Sequence, residues 1–206
     1  TFSTGSGDRW NRWAGKRFIL ADWQKREVVE PVFGWKCRID PDGRLVAREA
    51  AGEVVRRYRS AHIEVPKKNG KSTLLAAILL YCLIADGQAG AEIYIMAWDV
   101  EQAAIIYEEA ARMVEKSPEL RERVMVVRSR HRLAHVQSSS VARVFTKDDA
   151  YGDSKQGFNP SLVIFDELHT QRKRLLWDAM LYAGSARTSP LRIAITTAGF
   201  NRETIG

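Results

Sequence analysis

The stretch that decides the fold is IEVPKKNGKSTLLAAILL, residues 63–80. It predicts a short strand, a basic turn and a helix that opens on Gly70-Lys71-Ser72. In that setting, backbone N–H groups and a helix N-terminus can hold phosphate groups. Val65 stands where the common phosphate-loop pattern G-x-x-x-x-G-K-[ST] has its first glycine. The stretch therefore favours a phosphate loop whose turn is made without that glycine, or else a basic turn that happens to precede a helix.

The loop positions have distinct chemical roles in the nucleotide interpretation. Gly70 lets the backbone approach the ligand, Lys71 reaches the β- and γ-phosphates, and the Ser72 hydroxyl is a ligand for Mg²⁺. Thr73 supports the same shell. The whole predicted phosphate-binding set is Pro66, Lys67, Lys68, Asn69, Gly70, Lys71, Ser72 and Thr73.

A second motif, SLVIFDELH, follows about 95 residues after the loop. Its apolar residues predict a buried strand that presents Asp166 and Glu167 at its carboxyl end, where open α/β sheets bind ligands. Two adjacent carboxylates are costly to desolvate unless their roles differ. We expect Asp166 to hold Mg²⁺ through water and Glu167 to orient and polarise an attacking water. The alternative is a solvated acidic pair at a helix start.

From residue 61 onward, predicted strands and helices alternate. Strands are expected at 61–65, 92–98, 162–165 and 191–198, with shorter strand-like pieces between 123 and 146, and helices at 72–85 and 174–186. The sequence Asp99-Val100-Glu101-Gln102 has the form of a capping box. It opens a helix whose predicted apolar face is Val100, Ala103, Ala104, Tyr107, Ala111 and Val114. This alternation predicts an α/β fold, a mostly parallel sheet with helices on both faces.

The residues before 61 predict a peripheral region. A short helix is expected over 22–29, ending before Pro31. The charged stretch 44–60 is interpreted as a hairpin or loop.

Bulk composition narrows the class of protein. The chain of 206 residues is 45% hydrophobic and 28% charged, which is typical of a globular protein. No apolar run approaches the ~20 residues of a membrane span, and residues 1–17 do not resemble a secretory signal. Cys37 and Cys82 are far apart, so two reduced thiols are expected. The net charge of +7 suggests a polyanionic partner.

Together these motifs resemble the N-terminal ATPase domain of bacteriophage terminase large subunits of the HK97-like type, the motor that packages DNA. The resemblance rests on an ordered set: WQKREVVEPVFGW, EVPKKNGKSTLLAAILLY, DVEQAAIIYEEAARMVEKSP, PSLVIFDELH and SPLRIAITTAG. It implies a P-loop NTPase fold of the RecA-like, ASCE type. The implied activity is Mg²⁺-dependent ATP hydrolysis that drives double-stranded DNA into a procapsid.

The resemblance also implies roles for further residues. Trp23 and Gln24 match the adenine-reading element, and Lys67 stands where terminases usually carry a basic residue, often Arg. The family's coupling motif, which senses the γ-phosphate, corresponds to Thr196, Thr197 and Ala198. Terminases act as rings in which a neighbour inserts an arginine at the phosphates. Arg143 is the candidate for that arginine in trans, with Arg128, Arg130 and Arg132 as rivals.

On this basis, residues 1–60 are expected to form an adenine-binding segment with a peripheral hairpin, and residues 61–206 the ATPase core. The family's nuclease domain is not expected within this chain, which looks like part of a longer protein. Expected partners are double-stranded DNA, a ring of copies on a portal and a terminase small subunit, in the host cytoplasm. Two alternatives remain at this point: a helicase-type ATPase, because residues 166–169 also fit a D-E-x-H box, and a nucleotide-binding scaffold that does not hydrolyse.

Overall fold

The computed structural model describes residues 18–97, 99–145, 158–167, 184 and 186–197. Its strands in chain order are β1 Lys36–Ile39, β2 Leu45–Val46, β3 Glu53–Arg56, β4 Ser60–Glu64, β5 Glu92–Met96, β6 Val124–Val127, β7 Arg132–His135, β8 Ser140–Val144, β9 Leu162–Asp166 and β10 Leu191–Thr196. Its longer helices are a π-helix, Gln24–Gly34, followed by α1 Lys71–Ile84 and α2 Val100–Lys116; a single helical turn, α3 Pro118–Arg121, follows α2.

The main sheet has seven strands in the order β4-β10-β9-β5-β8-β7-β6. The first five run parallel, and β7 and β6 continue the sheet antiparallel as a hairpin at one edge. The prediction of a mostly parallel sheet is therefore confirmed. Strand β10 lies between β4 and β9, so its carboxyl end lies between the basic loop after β4 and the acidic pair at the end of β9.

The two faces of this sheet are packed differently. Alternate side chains such as Ile93, Ile164 and Ile193 point to one face and join α1, α2 and the π-helix in the larger hydrophobic core. Opposite side chains, including Tyr94 and Phe165, form a smaller cluster on the other face. The helix predicted over 174–186 falls almost wholly outside the described residues.

Helix α1 is buried because its sequence is apolar on nearly every side, as expected for a helix packed against a sheet. Leu74, Leu75, Leu79 and Leu83 are at most 2% exposed. Each fully buried leucine of this kind contributes about 1.5–3 kcal/mol relative to an exposed one. This packing fixes the axis of α1 and hence the position of Lys71 at its first turn.

Helix α2 begins as the capping box predicted, because the Asp99 side chain accepts a hydrogen bond from Gln102 N at 2.6 Å. Its buried face differs from the predicted one in the first two turns and gains two residues in the middle of the helix. Val100, in the first turn, is exposed and Ala104 is partly buried, whereas Ile106 and Ala110, which were not predicted, are fully buried. The buried stripe therefore starts at Ala103 rather than at the helix terminus.

The N-terminal region differs from its prediction in two respects. The helix expected to end before Pro31 continues as a π-helix to Gly34. Proline lacks an N–H group and disrupts regular α-helical bonding, and here the chain continues with the wider π geometry instead of stopping. The charged stretch does contain paired strands, β2 and β3, but both pair with β1, which had not been predicted, in a separate three-stranded antiparallel sheet.

A buried ion pair joins this small sheet to the main one. The Arg56 guanidinium pairs with Asp86, just after α1, and donates to Ser189 O at 2.5 Å, just before β10. The two charged side chains are 2% and 7% exposed. Gln88 Nε2 donates to Asp86 Oδ2 at 3.0 Å and completes the cluster.

Among the helices described, none is both long and apolar enough to cross a membrane.

Candidate nucleotide site

The basic loop lies at the carboxyl edge of the main sheet, between the end of β4 and the start of α1. Val65 is buried, and its N–H donates to Thr196 O at 3.1 Å, which ties the loop to β10. Lys68 and Gly70 adopt left-handed backbone conformations with φ of 68° and 71°. Asn69 Nδ2 donates to Pro66 O at 3.2 Å and closes the turn. The turn is therefore built without a glycine at the position of Val65, as the sequence suggested.

The predicted phosphate-binding residues lie on this loop and on the first turn of α1. Pro66, Lys67, Lys68, Asn69 and Gly70 are exposed on the loop, and Lys71, Ser72 and Thr73 form the first turn of α1. Gly70 precedes the helix as its N-cap, and its carbonyl accepts a hydrogen bond from Leu74 N at 3.0 Å. The first N–H groups of α1 have no intrahelical acceptor, which is the arrangement that binds phosphate at helix N-termini.

Lys71 brings the loop and the acidic pair together. Its Nζ donates a short hydrogen bond to Glu167 Oε1 and lies 3.0 Å from Asp166 Oδ1. The Asp166 side chain is only 4% exposed, and those of Lys71 and Glu167 are 15% exposed. The alternative of a solvated acidic pair therefore does not apply, because both carboxylates share one cation at a largely buried strand end.

The three groups shift one another's pKa values in different directions. Burial raises the pKa of Asp166 above its usual range, against the opposing effect of Lys71. Burial acts the same way on Glu167, but bonds from Lys71 and Thr197 outweigh it and hold the pKa of Glu167 below its usual range. Burial lowers the pKa of Lys71, yet hydrogen bonds and charges from the two carboxylates raise it overall. Lys71 and Glu167 are therefore both ionised at neutral pH.

Two threonines at the end of β10 contact the same glutamate. Glu167 Oε2 accepts hydrogen bonds from Thr197 N and Thr197 Oγ1, both at 3.2 Å, and Thr196 Oγ1 lies 3.5 Å away. Both threonines are buried. Two of the three predicted coupling residues thus lie beside the acidic pair, while Ala198 is outside the described residues.

Glu109 on α2 contacts this site and was not predicted from the sequence. Thr73 Oγ1 donates to Glu109 Oε1 at 3.2 Å, and Glu109 also pairs with Arg112 at 2.7 Å. Glu109 is a carboxylate on α2, and its place in the helix between Ile106 and Ala110 puts it beside the face that packs on α1. In the sequence, the position of Glu109 beside these apolar residues was the one sign that it could contact α1. The contact fixes the first turn of α1 to α2.

The predicted adenine-reading residues lie at the start of the π-helix. Gln24 is 5% exposed, and its Oε1 accepts a hydrogen bond from Ala21 N at 2.9 Å. Its amide nitrogen lies against the loop, because a Cβ built on Gly70 would be 3.6 Å from Gln24 Nε2. Trp23 is partly buried against the large core. Gln24 is therefore a neighbour of the phosphate loop.

The arginine predicted to act in trans lies elsewhere. Arg143 is on β8, and its guanidinium carbon lies 5.2 Å from the ring centre of Tyr94 and 5.4 Å from that of Phe145. Among its rivals, Arg128 is held by Glu108 and Glu115 at 2.7 and 2.6 Å, and Arg130 is exposed in the turn between β6 and β7. Arg132 is partly buried at the start of β7.

The residues around Lys71 fit a magnesium ion. Asp166 supplies a carboxylate and Ser72 a hydroxyl, and hard oxygen donors are what Mg²⁺ prefers. Burial disfavours the charged form of Asp166, as its raised pKa indicates, and a nearby cation compensates for that cost. No cluster of three or more His, Cys, Asp or Glu side chains that could hold a metal occurs within the described part of the chain.

Comparison with known proteins identifies the family. Residues 46–205 match the family model described as "Terminase large subunit, ATPase domain". The chain is 32% identical over 144 residues to the terminase large subunit of Enterobacteria phage HK97, a match that covers 68% of this chain and 28% of that protein. The terminase large subunit of Lactococcus phage p2 is 27% identical over 144 residues, with 68% and 26% covered.

Solved structures agree with this match. The crystal structure of the HK97 bacteriophage large terminase superposes with a TM-score of 0.72 and 27% identity, covering 92% of this chain and 36% of that one. The Thermus phage P74-26 large terminase ATPase domain gives a TM-score of 0.54 at 24% identity, which shows a shared fold. This chain spans only about a quarter of the length of the relatives from phages HK97 and p2. With a family match over most of its residues and a RecA-like P-loop fold, the chain belongs to the ATPase domain family of phage terminase large subunits.

Proposed function

We propose that this chain hydrolyses Mg-ATP at the Lys71 site and that hydrolysis drives double-stranded DNA into a procapsid. One observation supports the proposal most directly: a phosphate-loop lysine, Lys71, contacts Asp166 and Glu167 at the carboxyl edge of a parallel sheet. That edge is where open α/β sheets bind ligands. A cation for phosphate oxygens and a carboxylate for water are the groups that phosphoryl transfer to water requires.

In the proposed reaction, a water oxygen bonds to the γ-phosphorus as the bond from that phosphorus to the β–γ bridging oxygen breaks, releasing ADP. Glu167 orients the water and accepts its proton, for which its lowered pKa provides an ionised carboxylate at neutral pH. Lys71 stays protonated and stabilises the charge on the phosphoryl oxygens. The first N–H groups of α1 and the loop residues 66–70 bind the remaining phosphate oxygens.

Mg²⁺ would be held by the Ser72 hydroxyl and, through water, by Asp166. When bound, the ion neutralises charge on the β- and γ-phosphates. Trp23 and Gln24 would contact adenine, because a glutamine amide can donate to and accept from a base edge at once. Thr196, Thr197 and Ala198 would couple the state of the γ-phosphate to movement of DNA.

The remaining parts of the proposal concern the assembly. Copies of the chain would form a ring on a portal, work with a terminase small subunit and act in the host cytoplasm. Residues 1–60 would serve as the adenine-binding segment and residues 61–206 as the motor core, without nuclease activity of their own. Arg143 stays our candidate for the arginine contributed in trans, although its guanidinium contacts rings of its own chain, and Arg128, Arg130 and Arg132 remain its rivals.

The test compares Glu167→Gln with the unchanged protein in ATP turnover, with double-stranded DNA present and over a range of protein concentrations. We expect the variant to bind ATP normally but to lose turnover by at least about a hundredfold, because the carboxylate that accepts the proton is gone. Glu122→Gln, an exposed glutamate beyond α3, is the matched control and should retain activity. Comparable turnover in Glu167→Gln and the control would refute the mechanism.

A further inference from the structure

The two carboxylate oxygens of Glu167 have different partners. Oε1 faces Lys71, whereas Oε2 receives the Thr197 N–H and the Thr197 hydroxyl, both at 3.2 Å. The last side-chain torsion of a glutamate is broad and nearly two-fold, so a carboxylate does not choose an orientation by itself. The two shorter contacts to Oε2 both come from Thr197, with Thr196 Oγ1 further away at 3.5 Å, and together they remove that freedom. Thr197 therefore determines which oxygen of Glu167 points toward Lys71.

The backbone around this contact is fixed as well. Glu167 N donates to Ile195 O at 2.8 Å, and the backbone of Glu167 is left-handed with φ of 54°. A non-glycine residue in that conformation is strained and persists only where its surroundings hold it. Strand β10 runs beside β9 in parallel register with Ile195 opposite Asp166, so Thr197 lies one residue beyond the position opposite Glu167. The hydroxyl contact is thus part of a rigid strand-to-strand arrangement.

We propose that Thr197 is a positioning residue for ATP hydrolysis: it fixes Oε2 of Glu167 and so directs Oε1 toward the attacking water. The inference rests on the proposed role of Glu167 as the group that accepts the proton of water. Lys71, the other partner of Oε1, lies on the loop that would bind phosphate, so the oxygen facing Lys71 also faces the γ-phosphate position. This role differs from sensing the γ-phosphate, because Thr197 would act on the glutamate and not on the nucleotide.

The test uses Thr197→Val, which removes the hydroxyl and keeps the size of the side chain and the backbone N–H. We expect kcat for ATP hydrolysis to fall about tenfold, the effect of one lost hydrogen bond to a charged group. KM and the affinities for ATP and ADP should stay within about twofold, since the nucleotide loses no contact. Thr197→Ser retains the hydroxyl and should keep kcat within about twofold of the unchanged protein.

Thr188→Val is the matched control, a threonine before the other end of β10, where it lines a cavity of about 500 Å³ remote from the acidic pair. Thr197→Ala removes the same hydroxyl and must show the same loss of kcat, which covers the case of a poorly folded valine variant. An unchanged kcat in Thr197→Val, or a loss that serine does not restore, would overturn the proposal.

Two further results separate this inference from its rivals. A selective loss of ATP affinity relative to ADP in Thr197→Val would mean that Thr197 senses the γ-phosphate, and it would overturn the positioning role. Glu167→Gln, measured in parallel, distinguishes failure of the role of Thr197 from failure of the proposed ATPase site. If Glu167→Gln abolishes turnover and Thr197→Val does not reduce it, only the inference fails. If Glu167→Gln retains turnover, the proposed function of the site fails first.

Discussion

Three features of the structure meet at Glu167. Its backbone is left-handed, both carboxylate oxygens have hydrogen-bond donors, and its neighbour Asp166 is a second carboxylate buried at the same strand end. Left-handed non-glycine residues cost of order 1–3 kcal/mol and cluster at functional sites. At the residue scale, its strained backbone and the Lys71 cation that it shares with Asp166 distinguish Glu167 within the candidate site.

The lowered pKa of Glu167 makes a prediction about stability in acid. Because the folded state favours the ionised carboxylate, its contribution is fully present above the unfolded pKa of about 4.3 and is lost as pH falls through the lowered folded pKa. We therefore expect the free energy of unfolding of the unchanged protein, relative to that of Glu167→Gln, to be constant from pH 5 to 8 and to decrease below about pH 4.

Urea denaturation at several pH values measures this difference. A difference that increases below pH 4 would mean that the folded state favours the protonated carboxyl, contrary to the hydrogen bonds from Lys71 and Thr197. Glu122→Gln, which replaces an exposed glutamate, is measured in parallel as the matched control.

At the scale of elements, the sequence predicted best where apolar periodicity and turn chemistry agree. Strands β4, β5, β9 and β10 and helix α1 lie within a few residues of their predicted positions. The π-helix could not be predicted, because Pro31 in a polar helix normally signals an end. Strand β1 was missed since its sequence, KCRI, is short and largely polar, and its pairing with β2 and β3 comes from tertiary contacts.

The position of the candidate site was predictable in part from the parallel arrangement of the strands. Parallel strands place their carboxyl ends at one edge, so motifs that follow β4 and β9 were expected to converge. Which oxygen of Glu167 contacts which residue depends on β10 lying between those strands, and neither motif encodes that order. The contact between Thr73 and Glu109 depends on the packing of α1 against α2, which amphipathic spacing predicts only as a face.

Capping of α2 provides a prediction at this scale. Asp99→Ala removes the side-chain acceptor of Gln102 N and should lower the free energy of unfolding by about 1 kcal/mol. Thermal or urea denaturation measures the change. Asp42→Ala is the control: its carboxylate makes an exposed contact with Arg44, so its effect should stay within about 0.5 kcal/mol. Equal effects of the two substitutions would show that the cap contributes nothing.

At the scale of the whole molecule, the buried pair of Arg56 and Asp86 links three separate parts of the chain. It ties the small sheet to the end of α1 and to the segment before β10, at the edge of the main sheet opposite the acidic pair. Helix α1 begins at Lys71, and β10 ends beside Thr197. The pair therefore joins the remote ends of the two elements that bring side chains to Glu167.

Removing one member of this pair should be strongly destabilising. Arg56→Met leaves Asp86 buried without its cation, and we expect a loss of about 3–5 kcal/mol in the free energy of unfolding. The double variant with Asp86→Leu should lose less than the sum of the single losses, because no uncompensated charge remains. Urea denaturation measures both. Arg57→Met is the exposed control, and strictly additive losses would contradict the coupling.

ATP is expected to bind where Lys71 meets Asp166 and Glu167. A crystal structure with a non-hydrolysable ATP analogue and Mg²⁺ tests it most directly. We expect Lys71 Nζ to lie within hydrogen-bond distance of the β- and γ-phosphate oxygens, Thr197 still to hold Glu167 Oε2, and Glu167 Oε1 to face the γ-phosphorus. Nucleotide bound elsewhere, or phosphates on this loop with Lys71 still paired to Glu167, would contradict it.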